Sequence, residues 1–156
     1  MASGQTMIWK PNVVASAIIE DDGRFLLIEE TADDGAVVLN QPAGHLDPGE
    51  TLFDAARREV LEETAWHFQP EGIVGVYLMP KPGTDITYMR VCFHGRPLRE
   101  EPDRALDEGI IRTLWLTAGE LAARRAMHRS VMVQRCMDDY LAGRRYPLEL
   151  LQHLDA

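Results

Sequence analysis

The sequence predicts an α+β fold in which a mixed β-sheet is sandwiched between α-helices. Short β-branched, strand-like runs stand both before and after the clearest helical segment, and two further helical segments close the chain. No regular strand–helix–strand alternation runs through it, which an all-parallel sheet would require. At 156 residues the chain is long enough for one domain with its own core and too short for two of ordinary size. That domain is expected over residues 7–156, with residues 1–6 a frayed terminus or a non-native remnant.

Residues 13–19 and 25–29 read as a strand pair joined through Asp22 and Gly23, a strong hairpin signal. A polar loop over 31–36 leads to a short strand at 37–39. Pro42 and Gly44 then break regular structure over 41–44. Residues 51–64 form the strongest helix, with Thr51 as N-cap and Asp54 completing an acidic form of the capping box. Strands at 73–79 and 86–93 flank a turn at Pro82 and Gly83. Residues 97–107 read as a charged loop and 110–116 as another strand. Residues 118–127 and 131–141 are helical, and Gly143 and Pro147 punctuate the tail.

Hydrophobic residues make up 46% and charged residues 26%, the balance of a soluble globular protein. A net charge of −9 disfavours a nucleic-acid polymer as partner, because such binding relies on Lys and Arg displacing counterions. The same charge suits a site that collects divalent cations. Cys92 and Cys136 match no zinc or redox spacing and read as reduced thiols of a cytoplasmic protein. The first eleven residues carry no apolar run, and no stretch approaches the roughly 18 residues that span a bilayer, so no membrane partner is expected.

On a helix over 51–64, Glu59, Glu62 and Glu63 fall within a sector about 100° wide, beside Ala55 and Ala56. Carboxylates at i, i+3 and i+4 repel one another. The cluster is therefore stable as a solvated acidic face or around a hard cation such as Mg²⁺ or Mn²⁺. Its context favours the cation. Gly44 opens a loop, Glu50 ends it, and Arg58 on the helix is the natural forked counter-ion to Glu50.

The segment GHLDPGETLFDAARREVLEETAW (44–66) resembles the signature of the Nudix hydrolases, G-x5-E-x7-R-E-U-x-E-E-x-G-U with U a bulky aliphatic. Gly44, Glu50, Arg58, Glu59, Val60, Glu62 and Glu63 stand in register. Six identities at fixed spacing would arise by chance on the order of once in ten million alignments. Ala65 stands at the final Gly position and Trp66 at the last aliphatic one. Because Ala resists a left-handed turn, the helix is expected to end differently or later.

The resemblance implies a Nudix fold and Mg²⁺-assisted attack of water on a phosphorus of a nucleoside diphosphate derivative. It implies Glu59 and Glu63 as metal ligands, with Glu62 as ligand or base and Ala43 offering its carbonyl. It also implies a further acid from the loop before residue 110, for which Glu108 is favoured over Asp107. The flanking segments KPNVVASAII (10–19), FLLIEET (25–31), LNQPAGHLDPGETL (39–52) and GRRYPLELL (143–151) are similar to the NudJ-type phosphatases. Those enzymes release orthophosphate from nucleoside di- and triphosphates and from hydroxymethylpyrimidine pyrophosphate.

Asn40 and Gln41 are candidates to reach substrate or to hold loop backbone. His45 is a candidate for proton transfer or a surface loop histidine. Arg144 and Arg145 either clamp phosphate or sit as cations at a helix C-terminus. Alternative activities are ADP-ribose or dinucleoside-polyphosphate hydrolysis, or nucleotide binding without turnover. Assembly as a monomer or homodimer is expected, with a small nucleotide or pyrophosphate as the partner.

Overall fold

The computed structural model of the chain describes residue 4 and residues 6–155. Of the expected terminal remnant, residues 1–3 and 5 lie outside the described residues. The elements in order are β1 (Asn12–Asp21), β2 (Arg24–Thr31), β3 (Val37–Asn40), β4 (Ala43–His45), α1 (Leu52–Thr64), β5 (Trp66–Pro80), β6 (Thr87–Glu100), β7 (Ile110–Thr117), α2 (Ala118–Ala123) and α3 (Val131–Leu141). Single 3-10 turns follow at Arg125–Met127 and Leu148–Leu150.

The main path of the sheet runs β3-β2-β1-β6-β5, with β4 added to β1 and β7 to β2. Strands β1 and β6 are parallel and the other pairs antiparallel, so the sheet is mixed. One edge of β1 is divided. Val14–Ser16 pair with β4, whereas Glu20 and Asp21 pair with β2. That division opens the sheet between β4 and β3, where the polar residues of the site gather. The hairpin at Asp22 and Gly23 forms as its dipeptide predicts, both residues having positive φ (49° and 75°).

Alternation along the strands sorts the core into two layers. Ala15, Ala17 and Ile19 of β1 and Val91 and Phe93 of β6 pack with Ala55, Ala56 and Val60 of α1. Ile18, Leu27, Leu39 and Cys92 face the other way, toward Val133, Cys136 and Met137 of α3. The sheet thus lies between α1 and the α2–α3 pair. Both cysteines are buried free thiols. No helix among the described residues is long and apolar enough to cross a membrane.

Several boundaries differ from those the sequence suggests. Strand β5 begins at Trp66 and β6 runs on to Glu100, so residues 97–100 are strand and only the remainder of 97–107 is loop. In the paired ends His67, Gln69 and Glu71 do alternate with Trp66, Phe68 and Pro70, but Pro70 and Pro97 read as breakers and the register shifts at His67/Phe68 and Pro70/Gly72. Residues 43 and 44, part of the break expected over 41–44, instead join His45 in a three-residue strand added to β1. The helix expected over 118–127 ends at Ala123 and tightens into a 3-10 turn.

Candidate active site

Helix α1 begins where Thr51 Oγ1 accepts the Asp54 N–H at 3.1 Å. The Asp54 carboxylate lies 3.6 Å from Arg57, so the cap is a single serine/threonine-type bond and not the reciprocal box anticipated. The helix ends at Ala65, which adopts the left-handed conformation (φ 63°, ψ 16°) and returns its N–H to Leu61 O at 2.9 Å. The exit expected to avoid that conformation in the absence of Gly in fact uses it. Trp66 starts β5 immediately and packs edge-on against Trp115, centroids 5.8 Å apart, which fixes the chain direction at that point.

The loop over 101–109 docks on this helix end. Glu101 N–H donates to Ala65 O at 2.7 Å, and Asp107 N–H donates to Glu62 O at 3.0 Å, satisfying carbonyls the helix leaves unpaired. As a result Asp107 reaches the helix carboxylates: ligand atoms of Glu59, Glu62 and Asp107 lie within 4.8 Å of one another. Glu108, the acid favoured from sequence, is exposed and outside this group. Only the docking bond, invisible in the sequence, selects between the neighbours.

Arg58 ties the loop to the helix. Its Nε and Nη2 donate to the two Glu50 carboxylate oxygens at 3.0 and 2.7 Å, and Nη2 also donates to His45 O at 2.9 Å. Its Nη1 donates to Glu59 at 2.7 Å and to Glu62 at 3.3 Å, while Asp47 lies 3.3 Å from Nη2. This fork holds the Glu50 carboxyl below the usual range and the guanidinium fully charged. Gly44 lies against Glu59 so closely that a Cβ there would overlap the carboxylate.

Glu63 is buried (7% exposed) and accepts the Ala43 N–H at 2.7 Å. Burial pushes its carboxyl up to about 9, opposed by that hydrogen bond and reinforced by Glu59, Glu30 and Asp107. Burial likewise raises Glu59, against the pull of Arg58. Among the described residues Glu63 and Asp107 have no cationic partner, while Glu50, Glu59 and Glu62 share Arg58. Such a surplus of oxygen ligands and negative charge fits a divalent cation. Glu59, Glu62 and Asp107 are the residues that could hold one, with Glu63 and the Ala43 backbone adjoining.

On the far side of β4 lies a cavity of about 650 Å³ whose wall includes Glu30, Asn40, His45, Tyr88, Arg90 and Arg129. Asn40 is buried there, donating to Glu30 and accepting from Arg90, each at 3.3 Å. Gln41 stands behind the wall. Its amide donates to Val133 O at 2.9 Å, which ties it to α3 and sets it outside the cavity lining. His45 lines the cavity with its ring 6.3 Å from Tyr88.

The Arg pair lies elsewhere. Arg145 donates to Tyr140 O at 2.8 Å and stacks 3.8 Å over the Tyr140 ring, and Arg144 pairs with Asp139 at 3.4 Å. Of the two readings of these residues, the helix C-terminus is the one the geometry takes. Tyr88, Arg90, Arg129 and Glu30 were not singled out from sequence. Arg90 carries a usable signal, a charge at an inward position of the apolar run TYMRVCF (87–93).

The NUDIX domain family model matches residues 9–136. The chain is 33% identical over 144 residues to Phosphatase NudJ of Escherichia coli K12, covering 92% of each. A NUDIX hydrolase from Nitrosomonas europaea superposes with a TM-score of 0.91 at 48% identity, covering 94% of this chain and 99% of that one. A MutT protein from Methanosarcina mazei Go1, 21% identical with a TM-score of 0.71 over 89% of this chain and 100% of its own, shares the fold. Signature, fold and relatives agree that this chain belongs to the Nudix family and is a hydrolase.

Proposed function

We propose that this hydrolase is a Mg²⁺-dependent phosphatase of nucleoside di- and triphosphates, and of hydroxymethylpyrimidine pyrophosphate, that releases orthophosphate; Mn²⁺ substitutes for Mg²⁺. The observation that carries the reading is the grouping of Glu59, Glu62 and Asp107 beside a cavity large enough for the organic part of a nucleotide. When bound, the cation neutralises phosphate charge and lowers the pKa of bound water. The name of the NudJ relative, a phosphatase, favours cleavage at the terminal phosphorus. The buried free thiols Cys92 and Cys136 suit a reducing cytoplasm.

In this reaction the oxygen of water attacks the terminal phosphorus and the bridging P–O bond breaks, releasing orthophosphate and leaving a nucleoside monophosphate from a diphosphate, or a diphosphate from a triphosphate. A carboxylate of the cluster accepts the proton that water loses. Arg58 acts through other residues: it holds Glu50, the His45 carbonyl, Glu59 and Glu62 in one arrangement. Gly44 keeps the loop low enough for Glu59 to lie across it. Hydrolysis of GTP and GDP in oxygen-18 water tests the reading. Label in orthophosphate from both substrates is expected. Pyrophosphate from GTP with GDP untouched would sink terminal attack, and turnover confined to ADP-ribose or dinucleoside polyphosphates would replace the substrate class.

A further inference from the structure

Arg90 is 7% exposed and lines the cavity from the centre of the sheet, opposite Val14 of β1 and Tyr77 of β5. Among the described residues it has no carboxylate partner. Its Nη1 and Nη2 each donate one hydrogen bond, to the amide oxygens of Gln41 and Asn40, both at 3.3 Å. Two long bonds to neutral oxygens, with the buried Cys136 thiol also against the group, compensate a buried guanidinium poorly. Each terminal nitrogen also keeps a second N–H. Arg90 belongs to the cavity wall, and a ligand with two adjacent acceptors would satisfy both of those donors.

The other cations of the cavity are already engaged. Arg129 donates to Glu30 at 2.8 Å and Lys81 lies 3.5 Å from Asp33. Glu30 is one amide away from Arg90, because Asn40 accepts from Arg90 and donates to Glu30. A second phosphate at Arg90 would therefore sit close to a carboxylate. A neutral acceptor pair would not be repelled. The remaining wall suits a flat ring: Tyr88 and His45 stand near each other, and the Met79 and Met132 thioethers adapt around aromatic edges.

We infer that this cavity is a nucleobase pocket in which the Arg90 fork, positioned by Asn40 and Gln41, donates to O6 and N7 of a 6-oxopurine. The inference rests on the nucleotide reading above and narrows the nucleotides within it to those of guanine and hypoxanthine; the aminopyrimidine of hydroxymethylpyrimidine pyrophosphate, with an amino donor beside its ring nitrogen, gains nothing from the fork. Adenine presents N7 beside an amino group, and a donor-only fork cannot pair with the second position. The O6/N7 edge of hypoxanthine equals that of guanine, so the 2-amino group is not required.

Binding of the products GMP, IMP and AMP with Mg²⁺, followed by calorimetry, tests this without turnover. GMP and IMP should bind alike and about 10- to 100-fold more tightly than AMP. Arg90→Lys keeps the charge but loses the fork, so it should erase the gap by weakening GMP and IMP and moving AMP within about threefold. Equal affinities for GMP and AMP in the unaltered protein would overturn the inference, with no variant needed. Arg90→Lys weakening all three alike, with an unchanged melting transition, would overturn it in favour of a phosphate contact. Orthophosphate release from GDP, IDP and ADP in parallel separates the two levels. Equal release from all three, with equal product affinities, sinks the base reading alone. No release from any of them sinks the proposed function, and the GMP–AMP gap still decides the pocket.

Discussion

Arg58 and Arg90 stand on opposite sides of the short strand β4, and their surroundings are electrostatic opposites. Arg58 is half-buried and faces Asp47, Glu50, Glu59 and Glu62. Arg90 is buried deeper and faces two amides. On one side a single cation is shared among too many acids; on the other a cation lacks an acid. Each imbalance costs free energy in a protein without ligand, and on the proposed reading a different part of one substrate complex would relieve each. The first side calls for a hard cation and its phosphate, the second for paired acceptors on an uncharged ring.

The largest expected effect comes from removing charge on the overcrowded side. Glu63→Gln should lower orthophosphate release at saturating substrate by about 100-fold or more, as loss of a residue at a metal centre does. The fold should survive, because a glutamine oxygen can still accept the Ala43 N–H. The same variant carries a pH signature. The folded carboxyl is pushed up to about 9 from an ordinary value of 4.5, so folding favours its protonated form. That contribution is complete below about 4.5 and is lost as pH rises toward 9, and it amounts to a few kcal/mol at most. Without divalent cation the unaltered protein should lose stability across that window. Glu63→Gln should flatten the decline in denaturant melts, and Mg²⁺ should stabilise the unaltered protein most at the alkaline end. Near-normal turnover, or an unchanged pH slope, would remove Glu63 from the site.

The two sides also differed in how far the sequence revealed them. The acidic side is local: Gly44, Glu50, Arg58, Glu59, Glu62 and Glu63 lie within twenty residues, and helical periodicity alone brings the last three together. Thr51, Thr64 and the course of α1 between them were legible for the same reason. The cavity side is assembled from β2, β3, β6 and the start of α3, whose register depends on pairings up to a hundred residues apart. Arg129, for example, meets Glu30 across 99 positions. Asp107 shows the limit in between. A loop acid was anticipated, but a backbone bond to Glu62, and no spacing rule, chose Asp107 over Glu108. Gln41 and Arg145 lie outside the cavity lining and donate to backbone carbonyls, a use of amides and guanidinia that residue type alone does not distinguish from a substrate contact.

A second, smaller effect would show whether the acidic side behaves as one unit. Arg58→Ala releases Glu50, the His45 carbonyl and two helix carboxylates at once, whereas Glu50→Ala releases only the loop end. Each substitution should lower activity, and the double variant should lose much less than the product of the two. The coupling should be about 1–3 kcal/mol, as for residues in one hydrogen-bonded network. Strictly additive losses would mean that loop and helix contribute separately. Raised Mg²⁺ should recover part of the Arg58→Ala loss but little of the Glu50→Ala loss, since only the former leaves Glu59 and Glu62 without their shared counter-ion, a charge that a divalent cation can neutralise.

The smallest effect concerns the end of α1, where the chain departs from its family's signature. Ala65 holds φ 63° at the helix C-terminus, a conformation in which a Cβ is strained and Gly is not. Ala65→Gly removes that strain but adds freedom to the unfolded chain, so the net gain should be about 1 kcal/mol. For a chain of this length that is a rise of roughly 2–4 °C in melting temperature. The Ala65 carbonyl must still accept from Glu101, and Glu62 O from Asp107, for the loop to stay docked. If the exit only terminates the helix, stability rises and turnover is unchanged. If the strained residue also sets the position of Asp107, the more pliant Gly should lower turnover or raise the Mg²⁺ required while the melting temperature still climbs. Measuring both on the same sample separates a helix stop from a support of the acidic cluster. A fall in melting temperature would contradict the strain assigned to Ala65 in either case.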